Sequence, residues 1–465
     1  MSKRLLDSNR PNYTDSFETI MQGYIDATPT KKKKDSDFSQ EKIDFTTTFK
    51  PINTKKIELN LKSPDSKVEI IPPNRNPSLS DLFFSIFDNE FLDQLIKYHS
   101  TNVGNLPPIF SKNNNTRTYP DIQQAKRNFI IQFYATKLYI LSDPKNTLKE
   151  NFNVGKSIEV PGYEEYAMSF DIFEKMNVHF TIPIALIDSL NTRLGALISD
   201  TGRIVCFDEK HKECRDNHYH ARWAKNKYGH WISESSILAP TTGLPYINRL
   251  MPTTNIDNRN VEDEPYNNKL VSELIEDAYT DVNDEINSIL VADGYYPDRL
   301  GRRFCRSNEK LYLFKASKKR FAELFAEAKN HIDEKNHDDF VVLYSEETKE
   351  HFMYYISYQH SKVKEKGILT NAFENVKAPT KYLAPNTIKI AYRTYFNFND
   401  RFNHYLGDRY WPYKRNHWQA NYDDFFFAVV QMNVFTLYHE LNNIKELMER
   451  RIFSKDLSHE LFKSL

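Results

Sequence analysis

The chain has 465 residues, too many for one simple core, and its length predicts two to four structural units. Its 63 basic and 63 acidic side chains cancel, which argues against a protein that simply coats nucleic acid, because such proteins are basic overall. Three cysteines without a C-x-x-C pair argue against a disulfide framework and favour a reducing compartment.

The first 77 residues have no apolar periodicity and are rich in Lys, Asp, Ser, Asn and Pro, which predicts a disordered basic tail. Lys31–Lys34 form a basic run typical of nuclear import or DNA contact, although such a run is also common in solvated tails. The N-terminus has no apolar segment of the kind found in secretory signals, so we expect an intracellular protein.

Helical spacing dominates residues 78–200. Ser78 or Ser80 is a candidate N-cap for a first helix, and Asp88 precedes a second. Further helices are predicted at 121–141, 171–177 and 183–197.

Strands and helices alternate after residue 200, which predicts an α/β sheet. The predicted strands are a run over 203–207 ending at Asp208, a hairpin of 235–239 and 244–250 around Gly243, a run over 289–292 ending at Asp293, and strands within 311–316 and 339–358. The predicted helices are 268–279, a stretch between Phe321 and Ile332, a long helix over 422–449, and a shorter one to the end. The apolar run 425–438 is too short for a membrane span and contains Gln431 and Asn433.

Two of the predicted strands end in an aspartate. In open α/β sheets, ligand sites lie beyond the carboxyl ends of strands, so Asp208 and Asp293 are expected to lie side by side. Paired carboxylates there suit Mg²⁺, and two such ions can stabilise an in-line phosphoryl displacement. The alternative is that both are solvated acids at the start of loops.

Several segments, in order and spacing, resemble those of one transposase family. They are Phe83–Asn102, Thr201–Glu209, Lys227–Trp231, Thr242–Tyr246, Leu290–Tyr296, Tyr395–Asn403, and the closing helix from Arg451. Together they span residues 78–465 and are similar to the piggyBac transposases.

The resemblance implies an RNase H-like catalytic core in an α/β fold, with Asp208, Asp293 and Asp400 as the metal-binding catalytic triad for Mg²⁺ or Mn²⁺. A further family aspartate falls on Asn403, which still offers an oxygen ligand. The implied chemistry is cut-and-paste transposition, in which double-stranded transposon ends are cleaved and joined at TTAA-like targets. A homodimer in the nucleus, without membrane association, is expected.

The resemblance also sets expected domain boundaries. They are a disordered basic tail over 1–77, a helical N-terminal region for dimerisation or DNA binding over 78–200, the first part of the core over 201–312, an insertion domain over 313–385, and the last part of the core over 386–465.

Some residues depart from the family pattern. Asn403 carries no charge, and Phe398 and Asn399 stand where the family has glycines, which implies a different backbone path. The chain is also expected to lack the cysteine-rich domain that reads transposon ends. These departures favour an alternative, a domesticated DNA-binding or scaffold protein without catalysis.

Basic residues in two stretches are candidates for DNA contact, and in the second they alternate with aromatics, as in sites for single-stranded ends. The candidates are Arg302, Arg303, Arg306, Lys318, Lys319, Arg401, Arg409, Lys414 and Arg415. A solvated basic helix face and aromatic core packing are the respective alternatives.

Zinc is a second metal hypothesis. Cys206, Cys214, His218 and His220 lie close in sequence and are residue types that bind zinc. Their spacing matches no common zinc finger, and Cys206 falls in a predicted buried strand, so the carboxylate site is preferred.

Overall fold

A computed structural model gives the fold. It describes residues 49–51, 68–70, 76–102, 106–110, 121–152, 157–201, 204–213, 222–224, 227–239, 242–252, 289–292, 294, 302, 305, 311–332, 340–359, 362–371, 411–413 and 418–465. The helix predicted over 268–279 lies outside these residues. The described residues divide into two compact units. The smaller unit lies within the ranges Met1–Thr54 and Ala316–Gly367, and the larger unit lies within Lys55–Lys315 and Ile368–Leu465.

Eight α-helices occur in the described residues. They are α1 (Leu79–Ile86), α2 (Asn89–Asn102), α3 (Ile122–Ser142), α4 (Phe170–His179), α5 (Ile187–Ala196), α6 (Ala322–Lys329), α7 (Trp418–Leu441) and α8 (Arg450–Lys463). Short 3-10 helices span Pro108–Phe110, Leu148–Asn151, Glu164–Tyr166 and Ile184–Leu186.

The first two helices begin where the sequence predicted. The Ser78 hydroxyl accepts a hydrogen bond from the Asp81 N–H at 3.1 Å, and the Asp81 carboxylate accepts one from the Ser78 N–H at 3.0 Å, which is a capping box. The Asp88 carboxylate accepts a bond from the Phe91 N–H at 2.7 Å near the start of α2.

The long C-terminal helix predicted over 422–449 is wrong at its far end, because α7 ends at Leu441. Asn443 has a φ of 54°, in the left-handed region that Asn tolerates better than most residues. The Ile444 N–H then donates to the His439 carbonyl at 2.8 Å, a bond typical of a helix C-terminus. His439 Nε2 also accepts a bond from the Met448 N–H at 2.9 Å, so the chain turns away from the helix axis before α8.

The strands are β1 (Phe49–Pro51), β2 (Val68–Ile70), β3 (Ser157–Ile158), β4 (Met168–Ser169), β5 (Ile198–Thr201), β6 (Ile204–Glu213), β7 (Arg222–Ala224), β8 (Lys227–Leu238), β9 (Pro245–Pro252), β10 (Ile289–Ala292), β11 (Leu311–Ala316), β12 (Phe340–Ser345), β13 (Glu350–Gln359) and β14 (Lys362–Thr370). Two of them, β1 and β2, fall inside the tail predicted to be disordered. β1 pairs with β12 and β2 pairs with β5, and these partners supply backbone hydrogen bonds that the two short segments cannot make alone.

In the larger unit, five strands lie in the order β9-β8-β6-β10-β11, and β7 also pairs with β8. β6, β8 and β9 are antiparallel, whereas β10 runs parallel to both β6 and β11. All four residues of β10 are buried, as expected for a strand with parallel neighbours on both sides. The predicted mixed α/β fold and the predicted 235–250 hairpin are therefore confirmed.

The smaller unit has its own core. β1, β12 and β13 form an antiparallel arrangement, and β14 lies next to β13. The Phe325 ring of α6 packs against Phe352 and Tyr354 of β13, with ring centroids 5.3 and 5.7 Å apart. A Cβ on Gly367 of β14 would come within 2.7 Å of ring atoms of both Phe325 and Phe352, so only glycine fits there.

Helix α7 forms the centre of the core in the larger unit, where its apolar and polar residues alike are buried. Tyr134 of α3 stacks on Phe427 of α7, with centroids 4.8 Å apart. The Ser458 hydroxyl of α8 donates to the Ala135 carbonyl of α3 at 2.7 Å, which joins the last helix to the same core. Among the described residues, none of the helices combines the length and apolar character that crossing a membrane requires.

A buried ion pair joins α3 to α7. Lys137 Nζ lies 2.9 Å from an oxygen of Asp423 and 3.3 Å from an oxygen of Asp424, and the exposed fractions of these side chains are 1%, 0% and 5%. The other Asp423 oxygen accepts a bond from the Ile182 N–H at 3.0 Å. The ammonium also lies 5.4 Å from the centroid of the Trp411 ring, which is within cation–π range.

Candidate metal and DNA-binding site

Asp208 lies inside a strand. The sequence placed it at a strand end, but β6 continues to Glu213. The reason is its antiparallel partner β8, which pairs with β6 from the Cys206–Ser236 position to the Glu213–Gly229 position. A partner of that length holds the polar stretch after Asp208 in the sheet, although this stretch has no apolar pattern of its own.

The register of the sheet aligns Asp208 with the end of β10. Phe207 pairs with Ala292 in the parallel ladder, so the residues before Asp208 and Asp293 lie side by side. Asp208 itself is half-buried. Asp293, Asp400 and Asn403 lie outside the described residues, so of the four proposed metal ligands the structure describes Asp208 alone.

A carboxylate that belongs to no sequence motif lies opposite Asp208. Glu234 of β8 is its register partner, and the Glu234 side chain is only 2% exposed. Directly opposed residues of an antiparallel pair project from the same face of the sheet, and like charges there repel. Glu234 sits in an unremarkable Ser-Glu-Ser-Ser segment, so no motif could have revealed it. The register of β8 against β6 is what places Glu234 opposite Asp208.

The electrostatics suit a hard cation at this place. Burial and the negative charge of Asp208 together raise the pKa of the Cys206 thiol well above its usual value. Two carboxylates at one place in a sheet are stabilised by a divalent cation, and carboxylate oxygens are the ligands that Mg²⁺ takes. Asp208 and Glu234 are thus residue types that could serve as ligands of Mg²⁺ or Mn²⁺ at this point of β6 and β8.

The zinc hypothesis receives no support from the described residues. Cys206 is buried in β6, and this burial raises the pKa of its thiol, whereas zinc binds the thiolate. Cys214, His218 and His220 lie outside the described part of the chain. Within that part, no group of three or more Cys, His, Asp or Glu side chains is arranged to hold a metal ion.

Three of the candidate DNA contacts are described. Arg302 is buried, with 2% of its side chain exposed, so contact with a phosphate requires that region to open. Lys318 and Lys319 are exposed in the smaller unit, and Lys318 forms an ion pair with Glu365. The six other candidates, Arg303, Arg306, Arg401, Arg409, Lys414 and Arg415, lie outside the described residues.

The family-like segment Thr242–Tyr246 has a structural role in this chain. Gly243 adopts a φ of 65° at the turn between β8 and β9, which favours glycine. Thr242 donates two hydrogen bonds to the Glu440 carboxylate of α7, from its N–H and its hydroxyl, both at 2.9 Å. The buried Tyr246 hydroxyl donates to the Leu194 carbonyl at 2.6 Å. The segment thus attaches the hairpin to helices α5 and α7.

The fold defines a mixed α/β protein with a large mixed sheet and eight helices in its described part. No protein-family model matches the chain, and no curated protein sequence does. Among solved structures, the chain is similar to piggyBac transposase as seen in the cryo-EM structure of its synaptic complex with hairpin DNA. The TM-score is 0.57 at 14% identity, over 86% of this chain and 83% of that chain. This chain therefore has a piggyBac-like fold, and the predicted resemblance is confirmed at the level of the fold.

Proposed function

We propose that the chain is a piggyBac-like DNA transposase, or a nuclease derived from one, that cleaves and joins DNA strands with Mg²⁺ or Mn²⁺ held by Asp208, Asp293 and Asp400. The observation that carries the proposal is the register of β6 with β10. Ala292 pairs with Phe207, and neighbouring strands lie about 4.8 Å apart. Asp293 directly follows Ala292 in the sequence, and consecutive Cα atoms are about 3.8 Å apart, which supports the proposal that Asp293 and Asp208 bind the same metal ions.

The sheet supports an RNase H-like core as part of the proposal. Three antiparallel strands, β6, β8 and β9, adjoin two parallel strands, β10 and β11, in one mixed sheet. The smaller unit consists of Met1–Thr54 and Ala316–Gly367, and its second segment falls between Asp293 and Asp400 in the sequence, which supports an insertion in the predicted range of 313–385. The predicted boundaries over the rest of the chain are proposed with it.

In the proposed mechanism, Asp208, Asp293 and Asp400 would hold the metal ions, which would supply Lewis-acid activation of the scissile phosphate and of the attacking water or 3′-hydroxyl. Asp208 supplies a carboxylate from the middle of β6, where the strand is paired with β8. Glu234 adds a second carboxylate on the same face of the sheet. Asn403 contributes an uncharged oxygen.

The proposed substrate is double-stranded DNA, with transposon ends and TTAA-like targets. In the comparison structure, the transposase is in complex with hairpin DNA, which makes DNA the substrate class to test first. The exposed Lys318 and Lys319 are proposed phosphate contacts, which makes binding weaken as salt rises. Nuclear import through Lys31–Lys34 and a homodimer that holds two DNA ends complete the proposal.

The test is nicking of supercoiled and hairpin DNA by purified protein with Mg²⁺ or Mn²⁺. We expect Asp208→Asn and Asp293→Asn to reduce the rate by roughly 100-fold or more, because each removes a few kcal/mol of metal-based stabilisation. Asp171→Asn is the matched control, since Asp171 is an exposed acid in the first turn of α4. Equal nicking by all variants, or none by the wild type, would contradict the proposal and favour the alternative of a non-catalytic scaffold.

A further inference from the structure

The edge of β9 that faces away from β8 makes backbone hydrogen bonds to side chains, where a further strand would otherwise pair. The Ile247 N–H donates to the Asn433 side-chain oxygen at 2.9 Å, and the Asn433 amide donates back to the Ile247 carbonyl at 2.8 Å. Asn191 of α5 makes the same pair with Leu250, at 2.8 and 2.7 Å. Each asparagine thus satisfies both backbone groups of one β9 residue, as a neighbouring strand does.

The spacing of these two pairs is incompatible with a regular strand. Backbone groups point to the same edge at every second residue, whereas Ile247 and Leu250 are three residues apart. The extra residue is in a β-bulge. Ser236 pairs with Ile247 and Ser235 with Arg249, so that Asn248 is inserted between them. Only with the bulge at this place can both asparagines bond to the edge.

The bulge determines what lies beside the candidate metal site. Leu250 is the register partner of Glu234, and Glu234 is the partner of Asp208. A slip of β9 by one residue exchanges the two faces of the strand. Such a slip would place Arg249 opposite Glu234, and its positive charge would compete with a cation for the carboxylates.

We propose that Asn191 and Asn433 are positioning residues for the candidate metal site. Their hydrogen bonds stabilise the bulge of β9 and so keep the uncharged Leu250, rather than Arg249, beside Glu234 and Asp208. This inference rests on the proposed function in that it assigns the carboxylate face to a divalent cation. Neither asparagine touches the metal, and both act through β9 and β8.

The chain offers a matched control. Asn442, at the end of α7, also donates from its side-chain amide to main-chain carbonyls, those of Tyr438 at 2.9 Å and Pro77 at 3.2 Å. It does not contact β9 in these bonds. Asn442→Ala therefore removes the same type of hydrogen bond without affecting the bulge.

The experiment compares Asn191→Ala, Asn433→Ala and Asn442→Ala in the full chain, with Mn²⁺ binding followed by electron paramagnetic resonance and with amide hydrogen exchange. We expect the first two to weaken Mn²⁺ binding about tenfold or more, as outer-shell changes do, and to speed exchange in β8 and β9. Asn191 is only partly buried, so Asn191→Ala carries the test if Asn433→Ala does not fold.

The outcomes separate this inference from the proposed function. Wild-type Mn²⁺ affinity and unchanged β8 exchange in Asn191→Ala, or an equal loss in Asn442→Ala, overturn the positioning role. If the wild type binds no Mn²⁺ in a manner sensitive to Asp208→Asn, the proposed function fails instead. In that case, faster amide exchange of β8 in Asn191→Ala, without the same change in Asn442→Ala, still supports a role of Asn191 in holding the bulge. Unchanged exchange of β8 overturns that role.

Discussion

Replacing Lys137 by methionine tests how the core around α7 is held together. The change removes the ammonium that contacts Asp423 and Asp424 at 2.9 and 3.3 Å. Methionine keeps most of the apolar length of lysine, so the packing against Trp411 and Phe427 is largely retained. The effect measured is therefore mainly that of the charge.

The expected loss is large because all three side chains are buried. Breaking a buried ion pair by removing one partner costs about 3–5 kcal/mol, since the remaining charge is held away from water. The structure points to the upper part of that range, because one ammonium contacts two carboxylates. Asp424→Asn should have a smaller effect than Lys137→Met, since it removes the longer contact and leaves the shorter one.

The assay is urea unfolding followed by tryptophan fluorescence, with Trp411 5.4 Å from the ammonium as a local reporter. Lys145→Met is the matched control, because Lys145 pairs with Asp143 at 2.6 Å but half of its side chain is exposed. Exposed pairs contribute little, so this control should unfold as the wild type does. A loss of less than about 1 kcal/mol in Lys137→Met would mean that the core does not need the buried charge.

Three further predictions concern single residues. Burial lowers the pKa of His99 to about 4 from the usual 6.5, so the free energy of unfolding should fall as the pH drops from 6.5 to 4. In urea unfolding at a series of acidic pH values, a His99→Gln variant should lose up to about 3 kcal/mol less of this free energy than the wild type. Gly367→Ala should destabilise the smaller unit by about 1–3 kcal/mol in thermal unfolding, because the added methyl group would clash with the rings of Phe325 and Phe352. An unchanged melting temperature would contradict the described packing. In the same assay, Asn443→Ala should lower the free energy of unfolding by about 1 kcal/mol whereas Asn443→Gly should not, because the φ of Asn443 is 54°. Equal effects of the two substitutions would argue against a left-handed residue at the end of α7.

Local signals in the sequence were sufficient for several elements. Ser78 and Asp88 have the residue types of N-caps, and both act as predicted. The strand Ile289–Ala292 was recognisable because four consecutive apolar residues precede a polar one, and it is buried throughout. The hairpin around Gly243 followed from its turn residue.

Other features depend on partners that are distant in the chain. The polar half of β6, beyond Asp208, is a strand because β8 pairs with it, and nothing in its own pattern indicates this. The end of α7 was missed because Ile444, Leu447 and Met448 continue the helical spacing that Asn443 interrupts.

The candidate site likewise contains one residue that the sequence predicted and others that depend on distant partners. Asp208 was found from its place after an apolar run and from a family resemblance. Glu234, Asn191 and Asn433 were not found, because each is a single polar residue whose role appears only when strands and helices are brought together. Positions that act through strand register leave no local pattern in the sequence.

The most direct test of the central claim is anomalous diffraction from crystals grown with Mn²⁺. The account predicts an ion about 2.1 Å from an Asp208 carboxylate oxygen, with oxygens of Asp293 and Asp400 among its other ligands. Full occupancy of Mn²⁺ elsewhere, or an Asp208 carboxylate remote from those of Asp293 and Asp400, would contradict it.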